Sequence, residues 1–95
     1  MNEELMKFFE AMASGLNCRG EDVGTNNVGD YTIDTCDTTD CGYETAIKKG
    51  DHNWVVVQRY PDKATAQKGH NMWMAFCAAN PVEVYSVQLK DYVKL

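Results

Sequence analysis

Apolar residues recur at Leu5, Phe9, Met12 and Leu16, spacings that put one stripe along an amphipathic helix. Asn2 followed by Glu3 and Glu4 gives such a helix a cap and the negative charge its first turn favours, and Gly15 marks its end. The pattern then lapses. Residues 17 to 30 hold three glycines and few large apolar groups, which reads as a long loop. From Tyr31 the period becomes two. Tyr31, Ile33 and Thr35 alternate with Thr32, Asp34 and Cys36, predicting a strand from Tyr31 to Asp37. A turn through Asp37–Gly42 leads to a second strand, Tyr43 to Lys48, with Tyr43, Thr45 and Ile47 on one face. After a turn at Lys49–Asn53, the β-branched and aromatic run from Trp54 to Tyr60 makes a third strand.

Pro61 breaks that strand, and Asp62 is placed to cap a helix. Ala66, His70, Trp73 and Cys77 share one face of this helix, and Gly69 among them lets it approach a sheet closely. Asn80-Pro81 stops it, because a proline disfavours helical geometry in the residue before it. Val82 to Leu89 reads as a last strand, with Tyr85, Val87 and Leu89 alternating. The expected fold is α+β: an antiparallel sheet of about four strands with two helices packed on it, in the order α-β-β-β-α-β. Ninety-five residues make one domain, 1–95.

Composition supports a folded globule, at 44% apolar and 11% aromatic. No apolar run reaches the roughly 18–20 residues that a membrane span needs. Met1 to Ala13 is too acidic for a signal peptide, so a cytosol is the expected compartment. In that reducing setting Cys18, Cys36, Cys41 and Cys77 are expected as free thiols.

Charge changes the picture most. Glu21, Asp22, Asp30, Asp34, Asp37, Asp40 and Glu44 lie between Gly20 and Ile47 with no Lys, Arg or His among them. The whole chain carries −5, so the rest of it is net positive. Like charges held together repel and add nothing to folding by themselves. These seven are therefore the candidate partner-binding residues, facing a cationic surface. The same acidity excludes direct binding to DNA or RNA, whose phosphates it repels.

Asp34-Thr35-Cys36, Tyr43-Glu44-Thr45-Ala46-Ile47, Trp54-Val55-Val56-Val57 and Ala66-x-x-Gly69-His70-x-x-Trp73 resemble a family of small, largely uncharacterised bacteriophage and prophage proteins. The resemblance covers about residues 31 to 77 and departs at Gln58 and Arg59, where the family often has an acidic residue. It implies a phage origin and a host-cytoplasm setting. It carries no catalytic assignment. By analogy with acidic phage inhibitors, it implies an anti-CRISPR protein that blocks a basic nucleic-acid-binding surface of a Cas effector, a host defence protein.

The alternative is a zinc-stabilised phage accessory protein. Cys36, Cys41 and His70 supply ligand types suited to zinc, with Cys36 and Cys41 close across a turn. A second short-spaced pair, the usual zinc signal, is missing, and no other cofactor is required. A thiol enzyme with Cys36 as nucleophile and His70 as base is disfavoured, since the carboxylates beside Cys36 oppose thiolate formation. No phosphate-binding loop or nucleophile-elbow motif occurs, so the chain reads as a non-enzyme. Set against zinc, the plainer role for His70 is a hydrogen-bonded core residue. Met72 and Phe76 point away from it as an exposed apolar patch suited to a protein partner or a homodimer.

Overall fold

The computed structural model describes the backbone of residues 18–38 and 42–95, and the side chains of 21–38 and 42–95. The stripe Leu5–Leu16 and the carboxylate of Asp40 lie outside these residues.

Four antiparallel strands form one sheet in chain order: β1 (Cys18–Val28), β2 (Tyr31–Thr38), β3 (Tyr43–Lys49) and β4 (Val55–Tyr60). The helix α1 (Lys63–Ala78) packs across one face of it. A separate two-stranded hairpin, β5 (Glu83–Ser86) and β6 (Asp91–Lys94), completes the fold. The α+β class is as expected, with one helix among the described residues.

Two expectations are corrected. Residues 18–28 are a strand rather than a loop. Val28 pairs with Tyr31 across Gly29-Asp30, and Gly29 takes the positive φ of 58° that a two-residue hairpin turn demands. The strand escapes an apolar pattern because, among the described residues, its backbone pairs with β2 alone, and its two valines are only half-buried. The span Val82–Leu89 is not one strand. It turns after Ser86, with Lys90 at φ 57°, and returns as β6. Its inward face is also inverted: Val84 and Ser86 are buried, while Tyr85 and Leu89 are exposed.

Between helix and sheet lie Tyr31, Ile33, Ile47, Val55, Val57, Cys77 and Val84. Each fully buried Val or Ile contributes about 1.5–3 kcal/mol. On the other face Cys36, Ala46 and Val56 pack with Trp54 and Val87. Gln58 pairs with Thr45 and Val56 with Ala46, so Val57 is an extra residue in β4. Such a bulge lets consecutive residues face the same way. Val57 enters the core beneath the helix, and Gln58 meets the helical Trp73.

Candidate functional site

Helix α1 begins where the sequence places it. Asp62 Oδ1 accepts from the Thr65 amide at 2.8 Å, and this backbone hydrogen bond holds the Asp62 carboxyl below its ordinary value. The cap fixes the helix register, so Ala66, Gly69, His70 and Cys77 face the sheet. Gly69 is needed there, because a Cβ would overlap the Tyr60 ring and hydroxyl. Asn80, at φ 55°, and Pro81 end the element.

His70, 5% exposed, is the centre of a polar chain within the interface. Its Nδ1 lies 2.7 Å from Thr35 Oγ1, which lies 2.6 Å from Thr45 Oγ1. Thr45 Oγ1 is 2.9 Å from the Tyr60 hydroxyl, which reaches Gln58 Oε1 at 3.2 Å. Trp73 Nε1–H donates to the same Gln58 oxygen at 2.8 Å. At the other end, His70 Nε2 lies 2.8 Å from Asn26 Oδ1, beside a small cleft lined by Val23, Gly24, Gln67 and Asn71. Burial lowers the proton affinity of His70, against an opposing pull from Asp22. Burial likewise raises the Tyr60 phenol, in part offset by its bond to Thr45.

These contacts make His70 the hydrogen-bonded interior residue that its helix face predicts. They also answer the zinc expectation. Both ring nitrogens are engaged by protein groups, and Cys36 is disulfide-bonded, so neither offers a lone pair to a metal. Cys41 lies outside the described residues. No three His, Cys, Asp or Glu side chains among the described residues are grouped as metal ligands. The disulfide also corrects the expectation of a free thiol at Cys36, which is fully buried. Cys77 is a free thiol as expected, and burial pushes it up to about 11.

The predicted acidic residues divide by position. Glu21 and Asp22 lie in the first half of β1, with Asp22 opposite Cys36, and Asp37 near the end of β2 lies opposite Tyr43 beside Glu44, so pairing brings these four toward one end of the sheet. Asp62 joins them at the start of α1. Asp30 sits in the turn at the opposite end, about 24 Å along β2 from Asp37. Asp34 lies mid-strand and accepts from Thr25 Oγ1 at 2.9 Å.

Two of the clustered four are neutralised. Glu21 pairs with Lys63, raising the lysine's proton affinity through that hydrogen bond. Glu44, whose side chain is 4% exposed, takes Arg59 Nε on Oε1 at 2.9 Å and leaves Oε2 buried without a partner. Asp22 and Asp37 have no ion pair to a described cation. The surface is thus a sheet end rather than a sheet face, with Asp22 and Asp37 unpaired to any described cation and Asp62 held by the helix N-terminus and favoured by Lys68.

The sequence reading missed Thr35, Thr45, Tyr60 and Gln58 as a set. The available signal was two threonines on adjacent strands, both facing the helix side that carries His70. It also missed a cleft of about 540 Å³ between the β3–β4 turn and the C-terminal hairpin, lined by His52, Trp54, Gln88 and Lys94 among others. Met72 and Phe76 are exposed as expected, at 72% and 40%.

No protein family, curated protein or solved structure matches this chain.

Proposed function

We propose that this protein is a non-catalytic inhibitor that acts by binding, with the acidic end of its sheet set against a cationic surface of another protein. The observation that carries the reading is the convergence of Glu21, Asp22, Asp37 and Asp62 near one end of the sheet and the start of the helix, with Glu21 alone of the four ion-paired to a described cation, while Glu44 beside them is buried against Arg59. Carboxylates so placed meet Lys and Arg spaced for phosphates. The gain is fast, salt-sensitive association and occlusion of the groove. The resemblance of residues 31 to 77 to phage proteins supplies the setting. The partner is then a host defence protein in the host cytoplasm, in its most concrete form a Cas effector, making this an anti-CRISPR protein. The chain itself makes no contact with nucleic acid. Exposed Met72 and Phe76 add apolar area for the same partner.

Capture from a host extract with the tagged protein, followed by identification of what is retained, tests the proposal. Asp22→Lys with Asp37→Lys should abolish capture and any inhibition of nucleic-acid binding by the retained protein. Asp30→Lys, at the far end of the sheet, should leave both intact. Equal capture by all three proteins would dismiss the reading.

A further inference from the structure

The hydrogen-bond chain under α1 has a direction, and donor–acceptor accounting traces it to one atom, Nδ1 of His70. Asn26 Oδ1 accepts from Nε2–H, so a neutral ring leaves Nδ1 as an acceptor. Thr35 then donates to Nδ1, Thr45 to Thr35 and Tyr60 to Thr45. In that arrangement Gln58 Oε1 receives the Trp73 indole alone. A second proton on the ring makes Nδ1 a donor. Thr35 then turns its hydroxyl to donate to Thr45, Thr45 to Tyr60, and Tyr60 to Gln58 Oε1 at 3.2 Å. One N–H bond forms as a hydronium ion gives up a proton and leaves as water, and within the protein three hydroxyl groups rotate with every O–H bond intact.

We propose that these residues form a proton-operated relay, in which the charge state of His70 beside β1 sets the hydrogen bonding of Gln58 and Trp73 at β4. Four hydrogen bonds of 2.6–3.2 Å link input to output, and the output indole, Trp73, lies three residues beyond His70 on the same helix. The ring faces Asn26, Gly24 and the Asp22 carboxylate from β1, Thr35 from β2, Thr45 behind it on β3, and the Tyr60 phenol from β4. Gln67 and Asn71 flank it on its own helix. Burial opposes the proton and Asp22 favours it, so the switch operates below neutral pH. Its output is surface-connected, since Trp73 packs edge-on against the exposed Phe76 with ring centroids 5.1 Å apart. The inference stands independently of the partner-binding reading.

Nitrogen-15 NMR of the intact protein tests it, with Trp54→Phe assigning the two indole signals. At neutral pH His70 should carry its proton on Nε2. On acidification toward about pH 5 the Trp73 indole resonance should shift with the same midpoint as His70. Thr45→Val and Tyr60→Phe each cut the chain, so in either folded variant His70 should still titrate while the Trp73 shift is lost. A Trp73 signal indifferent to His70 in the unaltered protein overturns the relay. So does an undiminished response in a folded cut variant, or an Nδ1–H tautomer at neutral pH.

Discussion

His70 occupies a site that satisfies a neutral imidazole and solvates a charged one poorly. In the unfolded chain it titrates near its ordinary value of 6.5, and in the folded chain burial holds it lower. The unfolded state therefore binds the extra proton more readily as pH falls through 6.5. Stability attributable to this residue is complete above that pH and declines between 6.5 and the folded value. Denaturant midpoints measured from neutral pH downward should fall over this interval, and His70→Gln should flatten that slope. Gly69 is the second sensitive position. A methyl there must displace the Tyr60 ring, which is held at Thr45 and Gln58, so Gly69→Ala should cost about 1–3 kcal/mol by overpacking despite its better helix propensity. A denaturation midpoint equal to or above the parent would show that the helix simply slides outward. Cys36 and Cys77 differ in oxidation state rather than in accessibility, since both are buried. Alkylation of the native protein without reductant should leave Cys36 unmodified because it is oxidised, and Cys77 unmodified because its thiol is buried and raised to about 11. Mass mapping should find Cys77 labelled only after unfolding.

The helix and the two central strands of the sheet were legible because burial on one side imposes a period. Ala66, His70, Trp73 and Cys77 fall on the face that meets the sheet, and Ile33 and Ile47 face it from β2 and β3. Asp62 before the helix and Asn80-Pro81 after it bound that element by rules local to the backbone. Asp62→Ala should thus lower the melting temperature and speed amide exchange in the first turn, most at Thr65, whose amide loses its acceptor. Unchanged protection at Thr65 would mean that tertiary contacts alone hold that turn. Strand β1, at the edge of the sheet among the described residues, was not legible, because an edge is secured by backbone pairing to one neighbour and leaves few side chains to bury. Its one local sign was Gly29-Asp30 between Val28 and Tyr31. The C-terminal hairpin was concealed for the opposite reason. Tyr85, Val87 and Leu89 alternate convincingly, yet the buried set is Val84 and Ser86, and the turn lies inside the apparent strand. The polar chain was only half legible. His70 was placed on the inner face by helical period, but Gln58 joins it through a bulge in β4, which no periodicity announces.

At the scale of the molecule, pairing converts a linear run of acidic residues into an uneven charge distribution. Antiparallel order carries the first half of β1, the start of β3 and the end of β2 toward one end of the sheet, where Asp22 and Asp37 have no ion pair to a described cation. Asp30 is carried away, and its backbone carbonyl instead accepts from the Gly50 amide. If the acidic end is kept for a partner, it is maintained against the self-repulsion of a chain already at −5. That repulsion is measurable without knowing the partner. Asp22→Asn and Asp37→Asn should each raise the melting temperature by about 1–3 °C at low ionic strength, from a few tenths of a kcal/mol of relieved repulsion. The gain should shrink as salt shortens the Debye length to about 3 Å near 1 M. Asp30→Asn should leave the temperature where it was. Arg59→Gln should move the other way, because it removes the charge that Glu44 meets in a buried position; the loss is on the order of 2 kcal/mol. If Asp22→Asn and Asp37→Asn instead lowered stability at low salt, these carboxylates would be serving the fold, and the charge left for a cationic partner would be too small to direct binding.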